Sequence, residues 1–200
     1  MFSANSTARE AGFVITLADG DRDLDGILSL QKENLTPNLP ADVAGSEGFV
    51  TVVHTREILE RMHALWPSVV ARNEGQVVGY ALTMPVECRH LLPVLEPMFA
   101  LLDTLEYQNA PLSRQRYYVM GQICVARAFR GRGLVEAMYA HHAASFADRF
   151  DLILTEVARR NQRSLRAHER AGFEVLAEYR DATEDWVVVG LDFRHSRRRP

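Results

Sequence analysis

Apolar positions along this chain switch between a period of two and a period near 3.6, the spacing of strands and helices that follow one another. FVITLA (13–18) reads as a strand, and DRDLDGILSLQKE (21–33) as an acid-started helix with Leu24, Ile27, Leu28 and Leu30 on or near one face. LTPNLPADVAGSEG (35–48) is a loop by its Pro, Gly and Asp content, and GFVTVVH (48–54) has strand-like composition but stays ambiguous. Thr55 can cap REILERMHALW, which Pro67 stops. SVVARN (68–73) and VVGYALTMPVE (77–87) flank the turn EGQ as a hairpin. HLLPVLEPMFALLDTLEY (90–107) takes helical spacing in its second half. Further strands are expected at YYVMGQICV (117–125) and DLILTEVA (151–158), with a helix between them over 135–150. FEVLAEY (173–179) and DWVVVGLDF (185–193) close the chain as an antiparallel pair.

Length and composition narrow the class. Two hundred residues fit one domain, 1–200, and 47% hydrophobic content is ordinary for a globular chain that buries a core. No apolar run approaches a membrane span, and MFSANSTAREAG lacks the apolar core of a signal peptide. No membrane partner and a cytoplasmic location follow as expectations. Cys88 and Cys124 are too few and too separated for a disulfide framework or metal site, and read as reduced thiols. The formal charge is −3, and setting aside Arg194, Arg197, Arg198 and Arg199 of the tail leaves −7 on the rest. Such a body is no generic nucleic-acid binder. Residues 1–12 and 194–200 read as flexible tails.

The chemistry concentrates in ICVARAFRGRGLVEA (123–137), where an apolar strand runs into an Arg- and Gly-rich turn that opens a helix. First-turn N–H groups have no intrahelical partner and carry the positive end of the helix dipole, so such a turn can hold phosphate. Gly131 and Gly133 remove Cβ atoms that would block close approach, and Arg130 and Arg132 add positive charge. A Walker A loop would need Lys and then Ser or Thr after its last glycine, whereas Gly133 is followed by Leu134 and Val135. A dinucleotide fingerprint would need a third glycine where Glu136 stands.

What remains, Arg130-x-x-Gly133-x-Val135, resembles the coenzyme A loop of the GNAT N-acetyltransferase family, although Val135 stands where that family prefers Gly or Ala. LILTEVARRNQRSLRAHERAGF (152–173) resembles the family's second signature: a strand, an Asn that opens a helix, and a helix that closes in Gly-Phe. On residues alone, Asn161 is a good N-cap and Gly172 a C′ glycine. The resemblance covers roughly residues 13 to 193 and is weak before Val119. It implies an α/β (α+β) GNAT fold: a central mixed, mostly antiparallel sheet of about seven strands, splayed between its fourth and fifth strands and flanked by helices. That family usually joins its third and fourth strands by a short turn, whereas here Cys88 to Arg116 intervene as a helical insertion. An insertion of this size more often serves function than connection. Its apolar stretch around Leu91, Leu95, Phe99 and Leu102 must pack against the domain or a second copy, which leaves a homodimer open.

The resemblance also implies acetyl-CoA as cofactor and a small-molecule or peptide amine as acceptor. Backbone of Ile123, Cys124 and Val125 would pair with the pantetheine arm; Arg130, Gly131, Arg132, Gly133, Leu134 and Val135 would hold the pyrophosphate, with Asn161 nearby. His168 stands where the family often has a tyrosine that protonates the departing thiolate, and Glu156 lies at the spacing of a proposed base. The bland readings stand beside these: His168 as a packed histidine, and Glu156 as the ion-pair partner of Arg159 or Arg166. Two other functions remain open, a noncatalytic acyl-CoA-binding module and an O-acetyltransferase.

Overall fold

The computed structural model describes residues 12–35 and 50–196. The loop expected over 35–48 lies almost wholly outside them, as do most of both expected tails. Seven strands build the main sheet: β1 (Phe13–Leu17), β2 (Val69–Asn73), β3 (Gln76–Met84), β4 (Tyr117–Val125), β5 (Leu152–Ala158), β6 (Glu174–Arg180) and β7 (Asp185–Asp192). Their spatial order is β1-β2-β3-β4-β5-β7-β6. Every neighbouring pair is antiparallel except β4 and β5, which run parallel. This is the mixed, mostly antiparallel sheet expected.

Period-two alternation along the central strands sorts side chains onto two buried faces. Tyr80, Leu82 and Met84 of β3, Val119 of β4 and Leu152 and Leu154 of β5 enter one core. Ala81, Tyr118, Met120, Ile153 and Val157 enter the other. A sheet covered on both sides has few places for polar residues, which is why DLILTEVA and YYVMGQICV are so apolar. On the first face lie α1 (Asp21–Asn34), α2 (Arg56–Leu65) and the insertion helix α3 (Glu96–Leu102). On the second lies α4 (Leu134–Phe146), whose Met138 and Tyr139 are fully buried, with α5 (Gln162–Ala171) beside it. A buried Leu, Met or Phe contributes about 1.5–3 kcal/mol over its exposed state, so these two layers dominate stability.

Local signals explain the helix ends. The Thr55 hydroxyl accepts from the Ile58 N–H and opens α2. Asn161 accepts from the Ser164 N–H at 3.2 Å and opens α5, which ends where Gly172 turns to φ 96° and Phe173 N–H returns to the His168 carbonyl. The helix expected over 135–150 stops four residues early, where the Arg149 N–H reaches back only three residues to the Phe146 carbonyl in a tightened turn. GFVTVVH resolves as irregular backbone over its described part, with Val50 N–H bonded to the Asn34 carbonyl and a single bridge to Leu35.

The insertion is more elaborate than a helix. Short 3-10 turns at Val86–Leu91 and Pro93–Leu95 lead into α3, and Glu106–Tyr107 then pairs with Ala110–Pro111. Cys88, Leu95, Met98, Phe99 and Leu102 join the first core, so the apolar stretch packs on its own domain. Arg89 stacks over Phe99 and bonds Glu96 and Asp103 at 2.5 and 2.9 Å. Tyr107 and Gln108 donate to Asp192 at the end of β7.

Two features open the sheet. Between Ala81 and Thr83 of β3 the partner strand β4 advances from Ile123 to Met120, one residue too many, which places a bulge at Gly121–Gln122. β4 and β5 stay in register only over Tyr117–Val119 and Leu152–Leu154, and part beyond that. The wedge between them is where the site lies.

Candidate active site

A cleft of about 350 Å3 runs from the wedge along the start of α4 and one face of α5. Ile123, Cys124 and Val125 form its strand wall, Gly131, Gly133, Leu134 and Val135 its turn, and Asn161, Ser164 and His168 its far side. Gly131 and Gly133 both sit at φ 74°, the left-handed region that L side chains rarely adopt. A Cβ at either would meet no protein atom within 4 Å. The glycines are therefore required by the left-handed backbone of the turn that opens α4, rather than by crowding. The two arginines of the turn divide. Arg130 lines the cleft, and its guanidinium braces the turn by donating to the Val125 carbonyl at 3.0 Å and to Asn34 at 2.7 Å. Arg132 does not line it; its guanidinium lies over the rings of Phe13 and Phe129, at 5.9 and 5.4 Å. Arg132, expected beside the pyrophosphate, thus packs its guanidinium on two aromatic rings by cation–π contact.

Arg163, Ala167 and Arg170 add a face of α5 that the sequence reading passed over, although their i, i+4, i+7 spacing was available to it. Glu136 is the single acid among the described lining residues, and Arg170 pairs with it at 2.9 Å. The cleft is net cationic at one end and apolar at the other, and its volume lies in the range of small-molecule sites.

A second, smaller cleft of about 90 Å3 meets the first. Val50, Ile123, Asn161, Ser164 and His168 line both, so the two share a wall. Glu156, Gln122, Thr155 and Trp186 supply its polar side, while Leu95 and Met98 of the insertion face them. The Glu156 carboxylate accepts from the Tyr179 hydroxyl and pairs with neither Arg159 nor Arg166; Arg159 instead pairs with Glu178. Burial raises the Glu156 pKa to about 7, against the opposing effect of the Tyr179 bond. Gln122 is fixed from both ends: its Oε1 accepts from Tyr80 at 2.5 Å and its Nε2 donates to the Val52 carbonyl at 2.7 Å. His54 is 1% exposed, with its Nε2 3.5 Å from where a Gly121 Cβ would lie, so it packs behind β4.

His168 sits on the shared wall at 2% exposure. Its Nδ1 lies 2.8 Å from the Ser164 carbonyl, which can only accept, so Nδ1 carries the proton. Nε2 then accepts from the Tyr139 hydroxyl at 2.8 Å. Burial lowers the His168 pKa to about 4, so the ring is neutral near pH 7. Both nitrogens are committed to protein groups. An acid role for His168 would need a protonated imidazole with a proton free to give, whereas here each ring nitrogen bonds a protein group. Cys124 also borders the first cleft, and burial pushes its thiol up to about 12.

The sequence from residue 44 to 173 matches the acetyltransferase (GNAT) family model. The chain belongs to the GNAT acetyltransferase family. Solved structures agree at the level of fold. The ribosomal-protein-S18-alanine N-acetyltransferase of Escherichia coli is similar at TM-score 0.60 and 15% identity, over 90% of this chain and 94% of that one. An acetyltransferase of the GNAT family from Streptococcus agalactiae reaches TM-score 0.62 at 14% identity, over 90% and 95% of the two chains. The putative acetyltransferase yncA from Salmonella typhimurium, described with its cofactor acetyl-CoA, reaches 0.58 at 15% identity, over 91% and 94%. No curated protein sequence matches this chain. Among the described residues no helix is long and apolar enough to cross a membrane, and no group of His, Cys, Asp and Glu is arranged to hold a metal ion. In this GNAT chain the strand wall, the two αL glycines and the start of α4 suit an extended, anion-bearing carrier such as acetyl-CoA.

Proposed function

We propose that this protein is an acetyl-CoA-dependent N-acetyltransferase that moves the acetyl group directly to a primary amine while both substrates are bound. The observation that carries the reading is the shared wall: a cationic cleft suited to the cofactor meets a second cleft holding one carboxylate of raised pKa. The cofactor would supply an acetyl thioester at that junction. Helix-start amides after Gly133, with Arg163 and Arg170, would hold its phosphates, and the backbone of Ile123 to Val125, where β5 has parted from β4, would hold its arm.

Glu156 takes the proton of the acceptor amine. An alkylamine of pKa near 10 is mostly protonated at neutral pH, so attack requires a base, and a carboxylate near pKa 7 is well matched to act at pH 7–8. Gln122, immobilised by Tyr80 and Val52, orients the incoming amine or a water beside Glu156. Cys124 speaks for direct transfer over an acyl-enzyme, since a thiol held near pKa 12 is almost never the nucleophilic thiolate. His168 is a positioning residue here: its neutral ring, clamped by Tyr139 and Ser164, shapes the wall where the two clefts meet.

The test is cofactor turnover by the purified chain against a panel of primary amines and alcohols, read both as free thiol and as the mass of acetylated product. Amine-dependent thiol release supports the reading. Acetyl-CoA binding with no product from any amine or alcohol would instead establish a noncatalytic binding module, and product only from alcohols an O-acetyltransferase.

A further inference from the structure

We propose that the acceptor is a short-chain alkylamine, a primary amine on a compact uncharged apolar stem, selected by Leu95 and Met98 of the insertion. The inference rests on the N-acetyltransferase reading and adds the class of amine.

Size is the first argument. The second cleft measures about 90 Å3. Counted as space for water centres, where one water needs about 10–15 Å3, this is room for a compact group rather than a bulky one. The second argument is charge. Glu156 is the single acid among its described lining residues, and none of those residues is a Lys or Arg. An α-amino acid would bring its own carboxylate beside Glu156 with no cation to meet it. A polyamine would bury a second ammonium against Leu95, Met98 and Val52, with no second carboxylate among the described lining residues to meet it. Arg130, Arg163 and Arg170 line the first cleft, whereas no arginine is among the described residues of the second.

The third argument is rigidity. Leu95 and Met98 are 5% and 1% exposed, three residues apart across the start of α3, and Pro97 pre-organises that first turn. Arg89 bonds Glu96 in that turn and Asp103 at the far end of α3. A wall so held selects by shape, because moving it would disturb the first core. A methylene too many or too few in such a pocket changes kcat/KM by about 10–200-fold.

The full chain is assayed with acetyl-CoA against isopentylamine, leucine, spermidine and a tetrapeptide with an alanine N-terminus. Isopentylamine is expected to exceed each of the other three by at least about tenfold in kcat/KM. Leu95→Ala and Met98→Ala are then expected to raise the ratio of n-octylamine to isopentylamine turnover by about fivefold or more, since each opens the wall. That ratio is independent of the folded fraction, so a variant that loses stability still reports. Preference for leucine, spermidine or the peptide, or an unchanged ratio in both variants, overturns the inference and leaves amine acetylation standing. Tight acetyl-CoA binding with no amine acetylated overturns the underlying reading, and this inference with it.

Discussion

The Tyr139 hydroxyl lies 2.8 Å from His168 Nε2, and the two rings are packed 5.6 Å apart beneath the shared wall of the clefts. Because the Ser164 carbonyl holds the imidazole proton at Nδ1, Tyr139 must donate to Nε2. The pair is thus a directed hydrogen-bond chain ending at the site, and it carries no mobile charge at neutral pH.

His168→Phe keeps the bulk and leaves the Tyr139 hydroxyl without its acceptor. It is expected to cost about 1–3 kcal/mol of stability, with kcat retained within about threefold. Adding Tyr139→Phe removes the orphaned hydroxyl and should restore part of that loss. Thermal unfolding and steady-state kinetics on both variants check this. A folded His168→Phe protein whose kcat falls by roughly 10²-fold would return His168 to the role of acid.

As the proposed base, Glu156 is expected to set the acid limb of activity. With its pKa raised to about 7, kcat/KM should fall as pH drops through that value, because the protonated carboxyl no longer accepts the amine proton. Glu156→Gln should lower kcat by roughly 10²-fold or more and leave the acetyl-CoA KM nearly unchanged. A Gln variant with normal kcat and the same acid limb assigns that limb to another group.

The coenzyme turn offers a contrast between two neighbours. Gly133→Asp forces a side chain onto a backbone at φ 74° and sets an anion where phosphate is expected, so the acetyl-CoA KM should rise at least about tenfold, or 1.4 kcal/mol. Arg132→Ala, whose guanidinium rests on Phe13 and Phe129, should change it by less than about threefold, since its stacking is worth ~0.5–1 kcal/mol to packing alone. Equal losses from the two would show that Arg132 reaches the anion after all.

Stability should fall in mild acid. His54 and His168 are held near pKa 4 and His142 near 3 by burial, all below the ordinary 6.5. The unfolded chain takes up their protons first, so stability declines as pH falls from about 6.5 toward 4. Glu156, raised to about 7, acts in the opposite sense between about 4.5 and 7, but it is one group against three. Melting temperature measured between pH 7 and 4 should therefore drop. His142→Phe, which cannot take up a proton, should flatten the curve even if it lowers the plateau by orphaning the Tyr118 hydroxyl bonded to Nδ1.

Much of this protein was legible in one dimension, because the deciding signals are local. Alternating apolar residues mark the strands, Thr55 and Asn161 mark helix starts, and Gly172 marks an end, each through bonds spanning a few residues. The glycines of RGRG, the Asn161-to-Gly172 helix and the order of the two motifs were sufficient for the family. What stayed hidden depends on contacts far apart in the chain. That Arg132 turns to Phe13, that Glu156 meets Tyr179 instead of an arginine, and that Tyr139 reaches His168 are facts of pairing across the sheet and between helices. The local spacing of the insertion suggested a helix but not that Leu95 and Met98 would face Glu156 across a cleft. Ionisation was equally out of reach. A histidine and a glutamate have ordinary pKa values as letters, and only the burial imposed by the folded chain moved one down to about 4 and the other up to about 7.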